Sequence, residues 1–177
     1  LVIKSGKGVY LEDLDGNLYI DGVSSLWCNV HGHQVPEIDA AVKSQLGQVA
    51  HTTFLGLSNI PAIELAEKLV SITPEPLTRV FYSDSGSEAV EIGVKMAFQY
   101  WWAKGRKEKK RFLKLQHAYH GDTLGSVSMG GIELFHEIYH PLLFDTYEAP
   151  SPFVYRWPGG GTAEEVRDQA LEAREAI

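Results

Sequence analysis

Residues 79–102 read RVFYSDSGSEAVEIGVKMAFQYWW. The apolar run Val80-Phe81-Tyr82 stops at Ser83-Asp84-Ser85-Gly86-Ser87, and a helical pattern begins at once. This rhythm predicts a short buried strand at 80–82, a tight turn, and a helix over 86–103. Gly86 lets the backbone come close to a ligand. The free N–H groups of a first helical turn point beyond the strand's carboxyl end, where the helix dipole favours an anion. Ser85 and Ser87 can add hydroxyl donors. The same residues also describe a helix start with no ligand. Ser85-x-x-Glu88 fits a capping box, and Glu88 and Glu91 would repel an anion that came too near. The turn by itself leaves both readings open. Along the helix, Ala89, Gly93 and Ala97 form a small-residue stripe that would let it sit close to a sheet.

On either side of this stretch the pattern changes. Residues 1–22 predict a small antiparallel meander, with Val9-Tyr10-Leu11 and Leu18-Tyr19-Ile20 flanking the hairpin signal Asp15-Gly16-Asn17. GVSSLWCNVHGH (22–33) has no regular period and is expected to be a loop. Pro36 opens a helix through about Val49, and Asn59 caps another that runs to Ile72 before Pro74 and Pro76. After the opening stretch come a strand at RFLKLQ (111–116), a short helix capped by Asp122, and a strand at 144–149. A polar helix over 162–177 closes the chain. Alternating β and α units with short loops predict an α/β fold with a mostly parallel sheet and flanking helices. Two regions are expected: 1–58, with the meander, pocket loop and linker helix, and 59–177, the first part of a larger α/β domain.

Composition narrows the function. The chain has 177 residues, 44% hydrophobic and 22% charged, and a net charge of -7, which argues against a general binder of nucleic acid or anionic membrane. KGRKEKKRFLK (104–114) holds seven basic residues against one acidic and is read as a solvated helix end. The single cysteine, Cys28, forbids an internal disulfide and points to the cytoplasm. No apolar segment is long enough to cross a bilayer. The chain opens in LVIKSG as if within a strand and closes in AREAI as if within a helix, so it is expected to be a fragment.

HAYHGD (117–122) follows the strand at 111–116 and should emerge at the carboxyl edge of the sheet, where ligands bind in open α/β folds. His117, His120 and Asp122 are residue types that ligate zinc, but the spacing is weak and no cysteine or acidic cluster completes it, so no metal is expected. Tyr119 can instead lay its ring against a flat aromatic ligand whose phosphate sits at Gly86-Ser87. A plain strand-to-helix loop with Asp122 as cap fits equally well. His31 and His33 lie in a glycine-bearing loop near Trp27. His136 and His140 are four apart on an expected helix and are assigned to the surface or to packing.

Taken in order, DGNLYIDG, GVSSLWCNVHGH, AHTTFLG, FYSDSGSEAVEIGVKMAFQYW and HAYHGDTLGSVSMGG resemble the class III pyridoxal-phosphate aminotransferases of fold type I, over essentially the whole chain. The resemblance implies the large domain of a fold type I transferase, with the N-terminal antiparallel meander beside it. It implies pyridoxal 5'-phosphate as cofactor, its phosphate held by Gly86 and Ser87 and its ring stacked on Tyr119. Leu26, Trp27 and Tyr119 would border the substrate pocket. The family's Schiff-base lysine lies downstream of residue 177, so no catalytic residue is expected within this chain, which alone should not turn over. A homodimer with its active site at the interface is implied, acting on a small-molecule amino donor and a keto acceptor, with no nucleic-acid or membrane partner. The loop at 51–56 would contribute to the partner's site. Members that use S-adenosylmethionine as donor often carry two tryptophans where this chain has Leu26-Trp27. Other members, including those using lysine, have an aliphatic residue first, which tilts the expected donor mildly toward lysine. Three other readings stand beside this one: an ω-aminotransferase acting on another amine, a non-catalytic phosphate-binding or dimerising module, and a metal hydrolase built on HAYHGD.

Overall fold

Asp15-Gly16-Asn17 turns the chain back on itself, and the strands on either side pair as expected. The computed structural model describes residues 1–175. It divides into two compact units, Leu1–Arg79 and a second from Val80 onward. In the first, β1 (Ile3–Lys7), β2 (Tyr10–Asp13) and β3 (Leu18–Ile20) form an antiparallel meander in the order β1-β2-β3. Tyr10 stands opposite Lys7 on one side and Ile20 on the other.

Asp13 ties the β2–β3 hairpin together. Its buried carboxylate accepts the Asp15 and Asn17 amides at Oδ1, and the Asn17 side-chain amide and the Tyr19 hydroxyl at Oδ2, all at 2.9–3.0 Å. The Asn17 side-chain bond leads the causes that lower this carboxyl to about 2. A carboxyl lower in the folded than in the unfolded state stabilises above its unfolded value and loses that contribution as pH falls through the folded one. Hydrogen-exchange protection of the Asn17 and Asp15 amides should therefore hold at pH 5 and weaken progressively between about pH 4 and pH 2. In Asp13→Asn that pH dependence should be largely gone.

Residues 22–33 are irregular as expected except at one short run. The run α1 (Ser24–Trp27) is one turn of left-handed helix, with φ between 48° and 70° at all four residues. Helix α2 (Pro36–Leu46) ends short of the expected Val49, with Gly47 as its C-cap. Helix α3 (Ile60–Ile72) starts where Asn59 Oδ1 accepts the Ala62 amide, a cap that contributes about 1 kcal/mol. Ile60, Ile63, Leu65 and Ile72 of α3 remain exposed.

In the second unit, α4 (Gly86–Ala103) is followed by β4 (Phe112–Leu115). A crossover of α5 (Leu124–Met129), α6 (Glu133–His136) and a 3-10 turn (Glu137–Leu142) then leads to β5 (Thr146–Ala149). Strands β4 and β5 pair in parallel, Phe112 opposite Thr146 and Leu115 opposite Ala149. After a 3-10 turn at Val154–Arg156, α7 (Ala163–Glu175) packs on β5 and buries Val166 and Ala170. Of the expected helix over 162–177, Thr162 lies just before α7 and residues 176–177 lie outside the described residues. Helix α5 packs against α4 and β4, and its residues Gly125–Ser128 are buried. The chain is thus a mixed α/β protein, with a parallel pair in one unit and an antiparallel meander in the other.

Two expectations fail here for physical reasons. Val80-Phe81-Tyr82 is not a strand, because no strand among the described residues offers it a ladder of hydrogen bonds. The stripe Ala89, Gly93 and Ala97 is exposed, and a Cβ added at Gly93 would meet nothing within 4 Å. Among the described residues no helix is long and apolar enough to cross a membrane.

Candidate functional site

Helix α4 begins at Gly86 with Ser85 as an extended N-cap, whose hydroxyl accepts the Glu88 amide at 3.2 Å. The returning arm of the expected capping box is displaced by one residue: Glu88 Oε2 accepts the Asp84 amide at 2.9 Å, not that of Ser85. Glu91 Oε1 accepts the Gly125 amide at 2.8 Å. Both carboxylates expected to repel an anion are therefore engaged by backbone donors. The Ala89 amide bonds the Ser85 carbonyl, while the amides of Gly86 and Ser87 meet no acceptor among the described residues. A Cβ added at Gly86 would stand in open space. Two free N–H groups at the positive end of an 18-residue helix, beside an unencumbered glycine, form a cup suited to a phosphate.

The second half of the site is fastened to this turn through Ser87. Its Oγ accepts the Thr123 amide at 3.2 Å and lies 3.2 Å from Thr123 Oγ1. Its carbonyl accepts the Ser126 hydroxyl at 3.0 Å, and Ser126 is fully buried. The loop and the turn approach so closely that a Cβ at Gly121 would stand 2.2 Å from Ser87 Oγ. Tyr119, at the head of this loop, is 39% exposed and donates its hydroxyl to Asp122 Oδ2 at 3.1 Å. That bond, with some burial, pushes the phenol above its ordinary value, so it is neutral at physiological pH.

Asp122 is not the helix cap expected. Thr123 holds the N-cap position of α5, and the Asp122 carboxylate is shared between Tyr119 and His136. Gly86, Ser87 and the loop bearing Tyr119 are thus brought into one cluster, to which Thr123 and Ser126 belong without having been foreseen, and Glu91 as the acceptor of the Gly125 amide. Their one sequence signal was the pair Gly121 and Gly125, at the two points where the loop and α5 approach α4. Among the described residues no group of three or more His, Cys, Asp or Glu side chains could hold a metal ion.

Leu26 and Trp27 belong to the first unit. They stand on the left-handed turn, 68% and 66% exposed. Left-handed helical backbone costs about 1–2 kcal/mol per residue outside glycine, so four in a row need outside support. The 6%-exposed Asp21 side chain supplies it, accepting the Ser25 amide and hydroxyl at 2.7 Å each and facing His33 Nε2 at 2.8 Å. The Ser25 amide, then its hydroxyl, then His33 hold the Asp21 carboxyl below its ordinary range. In Asp21→Ala the turn should open, and limited proteolysis between residues 24 and 30 should run roughly tenfold faster.

A family model described as "Aminotransferase class-III" matches residues 1–176. The chain belongs to the class III aminotransferase family. It is 56% identical over its whole length to an adenosylmethionine-8-amino-7-oxononanoate aminotransferase from Anoxybacillus flavithermus, and spans 39% of that protein. It is 60% identical over 155 residues to the enzyme of the same name from Aquifex aeolicus, matching 88% of this chain and 34% of that one. The crystal structure of the Methanocaldococcus jannaschii aminotransferase of that name superposes with a TM-score of 0.82 at 52% identity, covering 86% of this chain and 35% of the other. An (S)-enantioselective omega-transaminase from Thermomicrobium roseum superposes with a TM-score of 0.89 at 34% identity, covering 99% and 39%. Class III aminotransferases depend on pyridoxal phosphate, an aromatic ring bearing a phosphate. The free amides at Gly86 and Ser87 and the partly exposed Tyr119 ring fit those two parts.

Proposed function

We propose that this chain is the amino-terminal part of a pyridoxal-phosphate aminotransferase that converts 8-amino-7-oxononanoate to 7,8-diaminononanoate in biotin synthesis. The observation that carries the reading is the pair of free amides at Gly86 and Ser87, in a turn tied through Ser87 to the loop that bears Tyr119. Identities of 56% and 60% to two aminotransferases named for that substrate support the choice of reaction.

When bound, the cofactor supplies an electron sink for the carbon that bears the amine being transferred. The residues of this chain hold and orient it. The Gly86 and Ser87 amides would take the phosphate, with the Ser87 hydroxyl beside them. The Tyr119 ring would carry the pyridine face, its phenol kept as a neutral donor by Asp122. Leu26 and Trp27 would wall the substrate pocket, and an aliphatic residue at position 26 favours lysine as amino donor. The protein would act as a homodimer in the cytoplasm.

An ω-aminotransferase acting on other amines is the second reading, favoured by the superposition on the Thermomicrobium roseum enzyme. The full-length protein that carries this chain decides between them. It should show a visible band that borohydride bleaches, and should aminate 8-amino-7-oxononanoate in a coupled assay. A yellow protein without that activity would support the second reading, and a colourless one would overturn both.

A further inference from the structure

We propose that His136 is a positioning residue for Tyr119, acting through Asp122; this rests on the cofactor role proposed above for Tyr119. His136 is 6% exposed and lies at the end of α6. Its Nδ1 accepts the Ile132 amide at 2.8 Å, so Nδ1 holds a lone pair and Nε2 carries the proton. Nε2–H then donates to Asp122 Oδ1 at 3.0 Å, while the other oxygen of that carboxylate accepts the Tyr119 hydroxyl at 3.1 Å. Gly131 leaves room for the arrangement, since a Cβ there would stand 3.1 Å from His136 Nδ1.

Both ring nitrogens are committed, one to a backbone donor and one to a carboxylate, so His136 has neither a lone pair nor a free N–H to offer a substrate. Its effect is on Asp122. The Asp122 side chain is 72% exposed, and a carboxylate so placed would ordinarily sample several rotamers in water. A buried imidazole of fixed tautomer pins one oxygen and leaves the other aimed at the phenol. The ring of Tyr119 is thereby fixed from the body of the protein, through a contact that no feature of α6 advertises in the sequence.

Two substitutions separate positioning from packing. In His136→Asn the side-chain oxygen can still take the Ile132 amide, but the side chain is too short to reach Asp122. In His136→Gln the terminal amide can reach Asp122, and the Ile132 amide loses its acceptor. Both are made in the full-length protein. Titration of the Tyr119 phenol is followed by NMR of labelled tyrosine, and bound pyridoxal phosphate by visible circular dichroism. His136→Asn should return the phenol toward its ordinary value, alter the dichroic band and weaken cofactor binding roughly three- to tenfold. His136→Gln should stay close to the wild type in all three, even where its melting temperature falls. Identical behaviour of the two variants, or an unchanged phenol in His136→Asn, would overturn the assignment. If the wild-type protein shows no cofactor band, the functional reading fails, and the tyrosine titration still decides the role of His136.

Discussion

Gly121→Ala in the full-length protein should bind pyridoxal phosphate about a hundredfold more weakly than the wild type, the loss expected from about 3 kcal/mol of strain and overpacking at the site. The backbone at Gly121 has φ +106°, outside the range an alanine adopts without strain. The added Cβ would stand 2.2 Å from Ser87 Oγ, 2.7 Å from Ser87 Cβ and 3.1 Å from Ser87 Cα. Two of those atoms cannot rotate away, so the loop must withdraw from the start of α4. Withdrawal breaks the bond from the Thr123 amide to Ser87 Oγ and separates the Tyr119 ring from the free amides. Gly105→Ala is the control. Gly105 also has positive φ, at +76°, but an added Cβ there would meet nothing within 4 Å. It should lower stability by about 1 kcal/mol and leave cofactor affinity unchanged. Titration of the dialysed protein with pyridoxal phosphate, followed by absorbance, measures both.

Features set by local chemistry could be read from the sequence, and features set by distant partners could not. The start of α4 was legible because Ser85 and Glu88 accept amides within four residues, and the hairpin because Gly16 and Asn17 suit a tight turn whatever surrounds them. Asp122 was misread for the same reason. An aspartate before a helix is a good cap on local grounds, but here Tyr119 and a histidine fourteen residues away claim its two oxygens. The strand expected at 80–82 depended on a neighbour to pair with, which hydrophobicity alone does not supply. The left-handed turn at 24–27 runs against the preference of serine, leucine and tryptophan. It exists because Asp21 and His33 hold it, a contact no spacing rule would propose. The family resemblance pointed to Gly86, Ser87 and Tyr119 without saying why Ser87 and the loop of Tyr119 should lie together. The bonds from Ser87 to Thr123 and Ser126 supply that reason.

The free amides at the start of α4 are proposed to take a phosphate, and Gly86→Pro tests this with little other disturbance. Gly86 is the first helical residue, where proline is favoured and its missing N–H breaks no helix bond. Ser85 before it is already extended, at φ -148° and ψ 162°, as a residue preceding proline requires. A Cβ at this position meets open space. The substitution should leave helix content and melting temperature close to those of the wild type while deleting one donor. A hydrogen bond to a charged group contributes about 1.5–3 kcal/mol, so the expected loss of affinity is roughly ten- to a hundredfold. The decisive measurement compares the dissociation constants of pyridoxal 5'-phosphate and of pyridoxal, which lacks the phosphate, for the full-length wild type and for Gly86→Pro. A loss confined to the phosphorylated form is the expected result. Equal losses for both forms, or no loss for either, would contradict a phosphate site at residues 85–87.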